Sequence, residues 1–203
     1  DDDTASGSVF CQLTDAAALC IYAPVGGGMV DSGAPVSPRC SVVNRGTQVA
    51  TFDVDLRIGT GYSRTATATS VGPGSKRVVA FSTPCTLRGR GWVPMACSTK
   101  LVGDLIRAND KKLDSVFVRV RDIGAVRITA PVGAILPGPV IPAADVRNWG
   151  NSREPCKVFF RINCSPPYAD SVVLPAGLPY VDTNLSFTSW TAVGGAYTAR
   201  CST

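Results

Sequence analysis

The strongest constraint on the fold is that this 203-residue chain contains one sequence unit twice. Residues 8–26 read SVFCQLTDAAALCIYAPVG, residues 115–133 read SVFVRVRDIGAVRITAPVG, and ten of these 19 positions are identical at an offset of 107. The match continues at an offset of 104, where VVNRG at 42–46 corresponds to VRNWG at 146–150, and CST at 97–99 corresponds to CST at 201–203. A unit that recurs in this way is expected to fold twice.

Each copy alternates between apolar and polar residues, which predicts strands rather than helices. Residues 52–58 read FDVDLRI, and residues 116–120 and 158–162 show the same period of two. Such alternation is typical of strands with one buried face. The longest helix candidate, residues 100–112, is short and loop-like. We therefore predict an all-β chain made of two tandem immunoglobulin-like β-sandwich domains.

The order of motifs in each copy resembles a known family. Asn-x-Gly follows a strand, an alternating strand comes next, and a Cys-Ser-Thr strand closes the pattern. This order resembles the bacterial CARDB-type immunoglobulin-like repeats of secreted and surface proteins. The resemblance covers nearly the whole chain. It implies an extracellular architectural or adhesive role and supplies no catalytic residues.

The repeats are out of phase with the ends of the chain. Copy one closes with a predicted strand at 114–121, whereas copy two stops at Thr203, the match of Thr99. The counterpart of the closing strand lies instead before copy one. We therefore predict an N-terminal donor strand within 1–15, a complete domain 1 at 16–122, and a domain 2 at 123–203 that lacks its last strand. The donor residues are Ser8, Val9, Phe10, Cys11, Gln12, Leu13 and Thr14.

A sandwich without its last strand exposes unpaired backbone groups and an apolar cleft. We expect a neighbouring copy to fill the cleft of domain 2, as in donor-strand pilins, and to build an open filament. The alternate residues Val9, Cys11 and Leu13 align with the apolar residues on the inward face of the closing strand. We therefore expect their side chains to enter the cleft. Two alternatives would leave the same order of strands along the chain. The sequence could be a piece cut from a longer tandem-repeat protein, or the donor strand could fill the domain 2 cleft of its own molecule.

Eight cysteines, without a CxxC pair and without any histidine, favour disulfides in an oxidising compartment over metal sites. Parity predicts Cys40–Cys97 as a bridge across the core of domain 1. It also predicts Cys11–Cys201 as a covalent joint between subunits. The rival assignment is Cys20–Cys40 with Cys85–Cys97. Cys156 and Cys164 bracket one strand and could bridge it to the next, and the leading assignment leaves Cys20 and Cys85 over.

Several functional classes are disfavoured by composition. The net charge of +5 is dispersed, and aromatic residues, at 7%, do not interleave with basic clusters, so no nucleic-acid platform is expected. No apolar run approaches the roughly 20 residues that span a bilayer. The absence of histidine removes the commonest general base, and we expect no enzyme activity, metal or cofactor. The start Asp1-Asp2-Asp3 is interpreted as a mature, cleaved terminus.

The sequence thus predicts a structural subunit of an extracellular, pilus-like filament whose partners are identical subunits joined head to tail. The alternative is a carbohydrate- or adhesin-type binding module of a larger secreted surface protein, with surface glycans as possible partners. Both hypotheses place the protein outside the cell or on its surface.

Overall fold

The chain folds into two compact units that are built from β-strands. The computed structural model describes residues 3–203, so Asp1 and Asp2 of the predicted donor segment lie outside the described residues. Unit 1 is Asp1–Val118 and unit 2 is Arg119–Thr203, whereas the sequence predicted a division after residue 122. The all-β prediction is confirmed. Within residues 3–203 the helical structure is a 3-10 turn, and no helix there is long and apolar enough to cross a membrane.

Unit 1 has two main sheets that share one core. One sheet has the order β1-β4-β7, the other has the order β2-β10-β9-β5-β6, and β3 pairs with β8. The strands are β1 (Ala16–Ala23), β2 (Met29–Asp31), β3 (Pro35–Val36), β4 (Arg39–Asn44), β5 (Ala50–Ile58), β6 (Tyr62–Val71), β7 (Lys76–Ala80), β8 (Cys85–Thr86), β9 (Gly91–Lys100) and β10 (Lys111–Arg119).

The alternation seen in the sequence sets the two faces of these strands. Val54, Leu56 and Ile58 of β5 are fully buried, while Asp53 and Arg57 on the opposite face are exposed. Asp55 on that opposite face is buried, because it forms an ion pair with Lys100 and accepts a hydrogen bond from Thr65. Each apolar side chain buried in this way stabilises the fold by about 1.5–3 kcal/mol relative to leaving it in water. The predicted parity of this strand is therefore confirmed.

Unit 2 repeats most of this layout. The sheet β11-β13-β16 corresponds to β1-β4-β7, β15-β14-β18 corresponds to β6-β5-β9, and the pair β12-β17 corresponds to β3-β8. The strands are β11 (Ile123–Ala130), β12 (Gly138–Val140), β13 (Ala143–Asn148), β14 (Glu154–Ile162), β15 (Tyr168–Gly177), β16 (Asp182–Ser186), β17 (Trp190–Ala192) and β18 (Ala199–Ser202). Val158, Phe160 and Ile162 of β14 form the centre of its core.

The registers of the two units agree residue by residue. Leu56 of β5 lies opposite Cys97 of β9, and Phe160 of β14 lies opposite Cys201 of β18. Phe160 follows Leu56 by 104 residues, and Cys201 follows Cys97 by the same number, which is the offset that the sequence shows. β18 is therefore the counterpart of β9, and within residues 119–203 no strand corresponds to β10 or β2.

The Asn-x-Gly motif closes one end of each unit. The buried Asn44 side chain donates hydrogen bonds of 2.7 Å to the carbonyl oxygens of Gln48 and Val71, and its Oδ1 accepts one of 2.9 Å from the Gly46 N–H. The same three bonds join Asn148 to Ser152, Gly177 and Gly150. The motif is therefore a structural clamp that ties a turn to the end of the neighbouring strand.

Candidate assembly site

The candidate site is the outer edge of β18, the last strand of unit 2. β18 pairs with β14 on one side, and within residues 3–203 no strand pairs with its other edge. In unit 1 the same edge of β9 is covered by β10, in a register that runs from Lys111 opposite Ser98 to Val118 opposite Gly91. Unit 2 thus leaves backbone N–H and C=O groups unpaired where unit 1 satisfies them.

The uncovered edge changes the burial of the residues that face inward. Met95 and Cys97 of β9, the strand that pairs with β10, are buried. Their counterparts on β18, Ala199 and Cys201, remain partly exposed although they contact the core of unit 2. The core of unit 2 is therefore open along the side where unit 1 has its closing strand.

An apolar groove lies beside this edge. It has a volume of about 680 Å³, and its lining includes Ile162, Ala199 and Tyr197. Trp190 forms part of the same wall and packs edge-on against Tyr197, with ring centroids 5.2 Å apart. A strand laid along β18 would place its inward side chains in this groove.

The N-terminal segment has the sequence that such a strand requires. Val116 and Val118 are completely buried in β10, but their counterparts Val9 and Cys11 are exposed, Val9 to 97%. Residues 3–15 belong to no strand, and Phe10 is 69% exposed. The segment that the sequence likens to β10 is therefore present but unused within this chain.

The end of this segment is fixed to unit 1. The Leu13 N–H donates to Thr47 Oγ1 at 3.0 Å, and the Thr47 N–H donates to the Leu13 carbonyl oxygen at 2.9 Å. The Asp15 carbonyl oxygen accepts from the N–H groups of Arg45 and Gly46 at 2.8 and 3.0 Å. The backbone of Leu13 is therefore held on unit 1, and the expectation that its side chain enters a neighbour's cleft stays a prediction.

Thr14 lies in the same anchored stretch, because its carbonyl oxygen accepts a hydrogen bond of 3.0 Å from the Leu105 N–H. The free part of the donor segment within the described residues is thus 3–12, which includes Ser8 and Gln12. Unit 2 holds the chain that enters it by the same kind of contacts. Asn151 donates to the Val120 carbonyl oxygen at 3.2 Å, and the Asp122 carbonyl oxygen accepts from Trp149 and Gly150 at 2.7 and 3.1 Å.

The cysteines are free thiols in this structure. Cys40 and Cys97 are both fully buried, and their side chains are hydrogen-bonded to each other. This contact, together with burial and the nearby Cys97 and Cys20 thiols, raises the pKa of Cys40 far above its ordinary value. The Cys40 and Cys97 side chains are therefore in contact, and the bridge between them stays a prediction.

The predicted Cys11–Cys201 joint stays a prediction, and it requires a register that differs from that of β10 on β9. Val118 lies opposite Gly91 and Lys112 lies opposite Cys97. The donor segment corresponds to β10 at the offset of 107, and β18 corresponds to β9 at the offset of 104. In the same register Cys11 would therefore lie opposite Gly195, and Ala5 would lie opposite Cys201. Six residues of strand separate Cys11 from Cys201 by about 20 Å, whereas bonded cysteines have Cβ atoms about 3.5–4.5 Å apart.

The strand that follows β14 offers no partner to Cys156 or Cys164. Cys156 of β14 lies opposite Leu174 of β15. β15 contains no cysteine that could bridge Cys156 or Cys164 to the next strand. Cys85 is buried, which raises the pKa of its thiol. Within residues 3–203, no cluster of three or more His, Cys, Asp or Glu side chains could hold a metal ion.

Comparisons with solved structures give matches that include two CARDB domains. The solution structure of a CARDB domain from Pyrococcus furiosus matches with a TM-score of 0.41 and 20% identity, over 53% of this chain and 97% of that domain. A crystal structure of a Pyrococcus furiosus CARDB domain in complex with di-metal ions matches with a TM-score of 0.39 and 17% identity, over 56% of this chain and 98% of that one. No protein-family model and no curated protein matches the sequence.

Proposed function

We propose that the protein is a non-enzymatic structural subunit of an extracellular filament. Residues 3–12 of one copy lie along the outer edge of β18, and of residues 195–198 that precede it, in the next copy and complete its unit 2. The observation that carries this proposal is the pairing difference between the two units: β9 is covered by β10, while its counterpart β18 has a free edge. The matching part is the exposed segment at 3–12, in which Ser8, Val9 and Phe10 are identical to residues 115–117 of β10.

The proposed contact is physically favourable on two grounds. The donated strand forms a ladder of backbone hydrogen bonds, each with a net contribution of about 0.5–1.5 kcal/mol. Transfer of the exposed Val9 side chain into the groove adds about 1.5–3 kcal/mol if it becomes fully buried, as Val116 is. Cys11 occupies the place of the buried Val118 and adds a second apolar contact.

The contact joins two different surfaces, so it leaves a free donor at one end and a free groove at the other. Such head-to-tail contacts generate open filaments when the rotation between copies does not close a ring. The anchored stretch at Leu13–Asp15 holds the base of the donor on unit 1. We propose that this keeps the joint short and that an oxidising exterior supports the Cys40–Cys97 bridge.

A pair of substitutions on the donor tests the proposal. Val9 has the inward parity of Val116, whereas Ser8 has the outward parity of Ser115. We expect Val9→Asp to abolish filaments, because an unpaired carboxylate in the groove costs several kcal/mol. Ser8→Asp should leave the filament yield near that of the unaltered chain. The measurement is electron microscopy with sedimentation of assembled material.

If both variants lost their filaments equally, the assignment of Val9 to the inward face and Ser8 to the outward face would be wrong. If both variants formed filaments as well as the unaltered chain, strand donation would be wrong. An unaltered chain that stays monomeric at every concentration would favour the alternative, a binding module of a larger surface protein.

A further inference from the structure

The closing strand of unit 1 is paired on both of its edges. β10 lies between β9 and β2 in the sheet. Just before β2, the Gly27 N–H donates to the Ser115 carbonyl oxygen at 2.8 Å, and the Phe117 N–H donates to the Gly28 carbonyl oxygen at 2.9 Å. β10 is therefore inserted between two partners rather than added to the outside of the sheet.

The counterpart of this second partner in unit 2 has no strand pairing. Residues 131–137 form no strand, and β12 begins only at Gly138. The stretch is apolar yet exposed, with Ile135 at 42% and Leu136 at 87% exposure. It also lines the groove, because Val132 and Ile135 stand among its lining residues together with Tyr197 and Ala199 of the other wall.

From this arrangement we infer that residues 133–136 are the second wall of the acceptor site and become a β-strand when a donor inserts. The inference rests on the proposed function, and the partner is residues 8–10 of a second copy. By the offset of 107, Ala134 and Ile135 stand where Gly27 and Gly28 bond to β10. They would pair with Ser8 and Phe10 in the same way.

Three physical features support this role. A donor paired only with β18 would leave its own outer edge unpaired, and exposed edges are open to unwanted association. Insertion between two walls satisfies both edges and covers Ile135, whose exposure in water is unfavourable. Pro137 ends the stretch, and since proline lacks an N–H it limits further pairing beyond residue 136.

Hydrogen exchange on the unaltered chain tests the inference directly. We compare peptides covering residues 131–140 in monomers and in assembled filaments. The amides at 134–136 should exchange rapidly in the monomer and about tenfold or more slowly in the filament, since strand pairing protects amides. The exposed loop at Val102 and Gly103 serves as the control and should exchange at the same rate in both states.

Substitution gives the second measurement. Ala134→Pro removes the N–H that would donate to the Ser8 carbonyl oxygen, so its filaments should dissociate at lower denaturant concentration than those of Val102→Pro. Circular dichroism of both monomers verifies that they are folded. Filaments whose 134–136 amides stay unprotected would overturn the inference and leave strand donation on β18 standing. Failure of the unaltered chain to form filaments would overturn both.

Discussion

Gly46 lies so close to Leu13 that a Cβ atom at position 46 would come within 2.6 Å of the Leu13 carbonyl oxygen. Gly150 stands in the same relation to the Val120 carbonyl oxygen. Only glycine permits this approach of two backbones. The glycine of the Asn-x-Gly motif is therefore needed where the chain enters each unit, and the asparagine clamps the turn that receives it.

A first prediction concerns this anchor. Gly46→Val should push Leu13 and Asp15 off the turn, because the new side chain would overlap the Leu13 carbonyl oxygen. The loss of two to three backbone hydrogen bonds should lower the stability of unit 1 by about 1–3 kcal/mol. Filament yield should also fall, since the base of the donor is no longer fixed. Urea unfolding and sedimentation measure the two effects.

The control for this variant is Gly61→Val. A Cβ atom at Gly61 would meet nothing within 4 Å, so the substitution should leave both stability and assembly nearly unchanged. If Gly61→Val and Gly46→Val behaved alike, the anchor would have no part in assembly.

Much of the fold could be predicted from the sequence because two independent patterns agree: the two-residue alternation within strands and the recurrence of the whole unit. The alternation of residues 52–58 gave the inward face of β5, and the offset of 104 matched Cys97 to Cys201, as the strand registers confirm. The anchoring of Leu13 could not be predicted in the same way. It depends on a turn at Arg45–Thr47 that is distant in sequence from the donor segment.

The cysteine pairs show the same limit. Parity along a strand tells which face a side chain occupies, so Cys11 and Cys201 were both expected to face inward. Parity does not tell how far one strand is shifted along the other. The pairing of Val118 with Gly91 gives that shift within unit 1, and a donor in the same register on β18 would place Cys11 away from Cys201.

A second prediction tests the clamp of unit 2. Asn148→Ala removes hydrogen bonds of 2.8 Å to Ser152, Gly177 and Gly150 in a buried environment. Three such bonds contribute about 1 kcal/mol each, so unit 2 should lose about 2–4 kcal/mol. Hydrogen exchange of the β14 core amides would report the loss. Unit 1, which has its own clamp at Asn44, should keep its exchange rates.

A third prediction concerns pH. The Asp145 carboxylate accepts hydrogen bonds of 2.7 Å from Asn184 Nδ2 and from Arg127 Nε, and these bonds lower its pKa below the ordinary value. Its stabilising contribution is therefore present above the unfolded-state pKa of about 3.9 and is lost as the pH falls through the lower folded-state pKa. Asp145→Asn should destabilise unit 2 at pH 7, and the difference from the unaltered chain should shrink below about pH 4.

Exchange of the unit 2 core amides at several pH values would measure this difference. A gap between variant and unaltered chain that stays constant from pH 7 to acid would show that the Asp145 carboxylate does not titrate as its contacts require.

The last prediction concerns the disulfides. Cys40 and Cys97 lie on the two sheets of unit 1, fully buried and in contact, so oxidation should join them and cross-link the sandwich. A bridge that closes a loop of this length stabilises a domain by about 2–5 kcal/mol. Cys97→Ala should remove that gain, and reductant should then no longer change the stability of unit 1. Peptide mapping of unreduced protein should recover Cys40 bridged to Cys97, and Cys20 bridged to Cys40 would instead support the rival assignment.

Cys11→Ser should leave filaments as resistant to denaturant as before, because the strand register keeps Cys11 away from Cys201. Recovery of a Cys11–Cys201 peptide would show that the donor sits in a register shifted by about six residues from that of β10 on β9.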